Sequence, residues 1–212
     1  MPYFIALFLS VSLLSGCQTA YYSAMEKVGV YKRDIMVDRV EDANQAQQNA
    51  QKQFTSALDG LKALNQFDGG KLESAYQDID SQYQSSEAAV NNVNDRIAAI
   101  EDVANAMFDE WQQELSLYKS AALKRDSQRK LQATKASYNK MLTAMKRAEK
   151  KMEPVLDTLR DNTLYLKHNL NAAAVGSLQG QFNALQTEIS GAIRDMNHAI
   201  AESNRFIGHL KK

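Results

Sequence analysis

Apolar residues along this chain recur at alternating steps of four and three, the spacing that places them on one stripe of an α-helix. Met36, Val40, Ala43, Gln47, Ala50, Phe54, Ala57, Leu61 and Leu64 form the first stripe, a heptad seam with one polar member, Gln47. Ala43, Ala50 and Ala57 are spaced so that a neighbouring helix can approach closely. The pattern predicts a helix over about residues 22–67. A second stripe predicts a helix over 71–118: Leu72, Tyr76, Ile79, Tyr83, Ser86, Val90, Val93, Ile97, Ile100, Ala104, Met107 and Trp111. A third follows Leu131, Tyr138, Met145, Met152, Leu159 and Leu166, predicting a helix over 121–170. The fourth, over 177–211, follows Leu178, Phe182, Leu185, Ile189, Ala192, Met196, Ala199, Ser203, Phe206 and Leu210. Ile193, Ile200 and Ile207 widen it into a face suited to burial in a bundle.

The breaks between stripes are readable too. Paired glycines make Phe67-Asp68-Gly69-Gly70 the clearest turn. The second and third registers are out of phase, which places a turn near Tyr118 to Ser127, with Ser120, Asp126 and Ser127 as candidate N-caps. Pro154 removes one backbone hydrogen bond inside the third helix. Met152 and Leu159 stay in phase across it, so a bend is expected rather than an end. That helix closes near Asn169-Leu170-Asn171, with a short Ala/Gly linker after it and His168 expected to cap its carbonyls. The fold class is therefore all-α: an elongated antiparallel up-down-up-down bundle of about four long coiled-coil-like helices. Helices of about 45 residues span ~70 Å.

Composition agrees with long elements. Only nine Gly and two Pro occur in 212 residues, few for loops and turns. Net charge is zero, so there is no global attraction to polyanions. Locally the charge is divided. Lys71 to Tyr118 holds ten acids and two bases, and Lys119 to Lys151 holds two acids and eleven bases. Antiparallel pairing of these segments neutralises both, and is preferred to a phosphate-binding face. Aromatic side chains for stacking bases are scarce there, and no nucleic acid partner is expected.

The first residues have a different character. Tyr3 to Leu14 is almost wholly apolar, too short to span a bilayer and suited to the core of a secretory signal. It leads into Leu14-Ser15-Gly16-Cys17, which contains the chain's single cysteine. This resembles the bacterial lipobox: an aliphatic residue, two small residues, then cysteine. The resemblance implies that the Cys17 sulfur receives a diacylglyceryl group, that residues 1–16 are removed as a signal peptide, and that the new amino group is acylated. Two or three acyl chains anchor firmly. Residues 17–212 then form a single α-helical domain. Gln18 rather than Asp after the cysteine implies the outer membrane, with the chain facing the periplasm. Tyr21, Tyr22 and Tyr31 suit the membrane interface, with Lys27, Lys32 and Arg33 near head groups.

No catalytic chemistry is evident. Asp68-Gly69-Gly70-Lys71 lacks a phosphate-loop pattern, having Asn65 where glycine and Leu72 where Ser or Thr is needed. His168, His198 and His209 are isolated, with no i, i+4 pair, so no metal or cofactor is expected. There is no Gly-x-Ser-x-Gly elbow. Trp111 lies on a seam and reads as core.

Two stretches, "YYSAMEKVGVYKRDIMVDRVEDA" (Tyr21 to Ala43) and "MEPVLDTLRDNTLYLKHNLNAAA" (Met152 to Ala174), resemble an uncharacterised bacterial lipoprotein family known as domain of unknown function 2959. The resemblance implies a secreted α-helical lipoprotein and supplies no activity or catalytic residue. The expected function is a non-enzymatic, membrane-anchored scaffold or adaptor of the cell envelope. Its partners are the membrane through the lipid, and a protein or second copy through the seams. The alternative is a peptidoglycan- or lipid-surface-binding protein, acting through the terminal Leu210-Lys211-Lys212 or the basic third helix.

Overall fold

A computed structural model describes residues 13–65, 72–169 and 172–211. They form five helices: α1 (Leu13–Lys27), α2 (Lys32–Asn65), α3 (Leu72–Glu114), α4 (Ala121–His168) and α5 (Ala172–Leu210). Helices α2 to α5 close a ring, each packing against the next and α5 against α2. All four interfaces are antiparallel, as their cross-links show. Lys32 meets Glu110 and Asp42 meets Arg96 between α2 and α3. Trp111 meets Ser127 and Glu101 meets Lys146 between α3 and α4. Arg147 meets Asp195 and Thr158 meets Glu188 between α4 and α5. Glu41 meets Lys211 and Gln51 meets Asn197 between α2 and α5. The result is the expected all-α up-down-up-down bundle.

The seams face inward. Every member of the α2 seam from Met36 to Leu61 is buried, and so are all six α4 residues spaced by seven. On α3, Ile79, Ser86, Val90, Val93, Ile97, Ile100, Ala104 and Met107 are buried, while Leu72, Tyr76, Tyr83 and Trp111 pack at the margin. Of the α5 seam only Phe182 is partly exposed. One continuous core results. Burying a Leu, Met or Phe side chain contributes ~1.5–3 kcal/mol, which offsets the ordering of these helices. Rings from three helices meet within it. Tyr138 contacts Phe108 edge-on at 5.4 Å and Phe206 at 6.1 Å.

The helix expected over 22–67 is in fact two, α1 and α2. Gly29 has φ +85°, a left-handed angle that ends a helix. Its N–H donates to the Glu26 carbonyl at 3.0 Å, and the Val30 N–H donates to the Met25 carbonyl at 3.0 Å. That pair of bonds is the Schellman motif, and Met25 and Val30 both pack on the core. Asp34, in the first turn of α2, then accepts from the Tyr31 N–H at 3.2 Å.

The α3–α4 turn is present, though α3 ends at Glu114 rather than near 118. Ser120 is the N-cap of α4, its hydroxyl accepting from the Leu123 N–H at 3.4 Å. α4 runs through Pro154 without ending. Its C-terminal cap is Asn169 rather than His168: the Asn169 side chain donates to the Tyr165 carbonyl at 2.9 Å. The expected Ala/Gly linker is also corrected, because α5 begins at Ala172, five residues early. Alanine is the best helix former, so an alanine run extends a helix. The Phe67 to Gly70 turn, Leu170, Asn171 and the stretch Tyr3 to Ser12 of the apolar run lie outside the described residues.

Candidate functional site

Leu14, Ser15, Gly16 and Cys17 lie in the first turns of α1, their backbone helical and their side chains outside the described set. What the structure adds is how α1 is held. Past the Gly29 reversal it lies back along α2: Glu26 sits beside Lys32, and Tyr22 sits beside Arg39. Tyr22 is 2% exposed, and its hydroxyl donates to Asp102 Oδ2 at 2.8 Å. Arg39 reaches the same carboxylate at 3.3 Å, the Tyr22 hydroxyl at 3.1 Å and the Ala99 carbonyl. Burial, then the bond to Asp102, pushes the Tyr22 phenol up to about 12. Lys32 bonds both Glu26 and Glu110, the latter at 2.9 Å. Burial alone lowers the Lys32 ammonium, but these two carboxylates outweigh it and hold its pKa above the ordinary value. Two polar clusters therefore clamp α1 onto both α2 and α3. Tyr22, Lys32 and Tyr31 were expected at a membrane interface. Tyr22 and Lys32 instead serve this clamp, and Tyr31 stays exposed.

Beside the clamp, at the end where α1, α3 and α5 stop and α2 and α4 begin, lies a cavity of about 590 Å³. That is the size of a small-molecule pocket. Met107, Trp111 and Leu210 supply apolar walls. Lys32, Arg33, Lys130 and His209 face Glu26, Glu110 and Glu114 around them. Trp111 is only partly core, and its ring N–H donates to Ser127 Oγ at 2.8 Å across the α3–α4 turn. The lining holds no serine or cysteine, and Lys32 is already committed to two carboxylates. This arrangement can bind an amphipathic group; it assembles no nucleophile with a base. Nothing in the sequence spacing marked it, because its residues come from every helix.

Elsewhere, His198 contacts Arg147 and Glu202. Among the described residues no group of His, Cys, Asp or Glu is arranged to hold a metal ion. No described helix is long and apolar enough to cross a membrane. The divided charge of α3 and α4 produces one direct ion pair between them, Lys146 to Glu101 at 2.9 Å, among the described residues. Lys124, Arg125, Lys140, Lys150 and Lys151 have no ion pair among the described residues. Lys212 lies outside them.

A family model described as "Protein of unknown function (DUF2959)" matches residues 21–210. The chain belongs to the DUF2959 family. The match begins within α1 and ends at the last residue of α5, so the family spans the clamp, the cavity and the whole bundle. No curated protein and no solved structure matches the chain.

Proposed function

We propose that this DUF2959 protein is an envelope lipoprotein, anchored through Cys17 and acting without catalysis as a helical scaffold or adaptor on the periplasmic face of the outer membrane. The observation that carries the reading is the clamp. The helix bearing the lipobox-like Leu14-Ser15-Gly16-Cys17 is tied to the bundle by Tyr22–Asp102–Arg39 and Glu26–Lys32–Glu110, not joined by a slack tether. A lipid on Cys17 then fixes one end of a rod whose longest helix, of 48 residues, spans about 70 Å. A rigid spacer needs that property, and a surface-tethered enzyme does not. Fractionation of cells tests it. The unaltered chain is expected in the membrane pellet and Cys17→Ala in the soluble fraction. Equal membrane retention of both refutes anchoring at Cys17.

A further inference from the structure

We propose that the corner between α3 and α4 is a second membrane-contacting surface, resting on the head groups of an anionic phospholipid bilayer. It rests on the lipoprotein reading above. Leu117 and Leu123 are 77% and 60% exposed and Tyr118 is 41% exposed, although Leu115, two residues before Leu117, is buried in the core. Lys119, Lys124 and Arg125 are interleaved with them, and no acidic residue occurs from Leu115 to Arg125. Of the flanking carboxylates, Asp126 is paired with Arg129 and Lys130. Apolar side chains surrounded by unpaired cations match a bilayer surface that is negative at the head groups and apolar just beneath. Cations in the first turn of α4, which has no acidic residue, are also unfavourable for the helix itself until an anion faces them.

Position supports the same occupant. Tyr31 and Arg33 share the cavity rim with Glu114 and Lys130, so the α1–α2 turn stands beside this corner. That turn exposes Val28 and Tyr31. Cys17 lies in helical α1 five positions before the docked Tyr22, about 15 Å of helix behind Lys27. A lipid on Cys17 therefore leaves the bundle nearer this end than the other. The opposite end lies about 50 Å away along α2.

Thiol labelling of the intact lipidated protein in vesicles tests both readings separately. A lipidated Cys17 has no free thiol, so the unaltered chain takes up no maleimide dye; uptake there refutes the lipoprotein reading alone. The corner is then tested in a Cys17→Ser background instead. Brominated phosphatidylglycerol is expected to quench a dye on Leu117→Cys about threefold more than a dye on Leu164→Cys, at the far end. Replacing Lys119, Lys124 and Arg125 by Gln, with folding checked by circular dichroism, should weaken the contact about a hundredfold. Three results overturn the proposal: no bromolipid quenching at 117, equal quenching in purely zwitterionic vesicles, or shielding from aqueous iodide without bromolipid quenching. The last would mean that a protein, such as a second copy, covers the corner.

Discussion

The phenol of Tyr22 donates a hydrogen bond to Asp102 across 80 positions of sequence, at 2.8 Å, and Arg39 of α2 joins both. Three helices converge on this one carboxylate, so α1 is part of the folded unit.

Tyr22→Phe removes two hydrogen bonds, the one donated to Asp102 and the one accepted from Arg39, and leaves Asp102 paired with Arg39. It is expected to cost about 1 kcal/mol, whereas Tyr22→Ala also empties a buried site and costs about 3–5 kcal/mol. Urea midpoints give the totals. Hydrogen exchange locates the effect: amides of α1 should lose protection before those of α4. Uniform loss across all helices contradicts a local clamp.

Stability should fall on the alkaline side. Burial pushes Tyr138 up to about 12, with Glu101 adding to it, and Tyr22 stands at about 12 against an ordinary 10.0. Between those values the unfolded chain releases protons that the folded chain keeps, so raising pH favours unfolding. Lys32, raised above 10.5, acts in the same direction: its contribution is complete below that value and is lost as pH passes its folded pKa. Each tyrosine accounts for on the order of 2 kcal/mol across this window. Thermal melts from about pH 9 to about pH 12 should show a limb that Tyr22→Phe and Tyr138→Phe each flatten. A limb unchanged in the double variant removes this cause.

Gln47 is fully buried, and neither polar atom of its side chain has a partner. Gln47→Leu, of similar volume, is expected to stabilise the bundle by about 1–2 kcal/mol. A lower melting temperature in the variant would show that Gln47 is satisfied in solution after all.

Gly29→Ala should destabilise by about 1 kcal/mol through the backbone alone, since φ is +85° and nothing lies within 4 Å of an added methyl. Asn, which tolerates left-handed angles better, should recover part of the loss. Chemical denaturation of the three chains checks the order Gly, Asn, Ala.

Much of the fold was legible because burial follows a simple period. The α2, α4 and α5 seams are buried almost residue for residue, and the phase slip between the second and third stripes does mark a turn capped by Ser120. The α1–α2 reversal was missed because it depends on one glycine between apolar residues, Val28-Gly29-Val30. Lys27 in the last turn followed by that glycine was the available signal. The clamp and the cavity were not legible. Tyr22, Arg39 and Asp102 are brought together by tertiary packing, and seam spacing says nothing about which exposed charges will meet.

We propose Cys17 as the point where lipid joins a rigid helical rod. Mass spectrometry of the N-terminal peptide of the protein purified from membranes tests this most directly. The predicted result is a chain beginning at Cys17, with a diacylglyceryl group on sulfur and the mass of an added acyl group on its amine. Recovery of an intact Gly16–Cys17 bond with an unmodified thiol contradicts it.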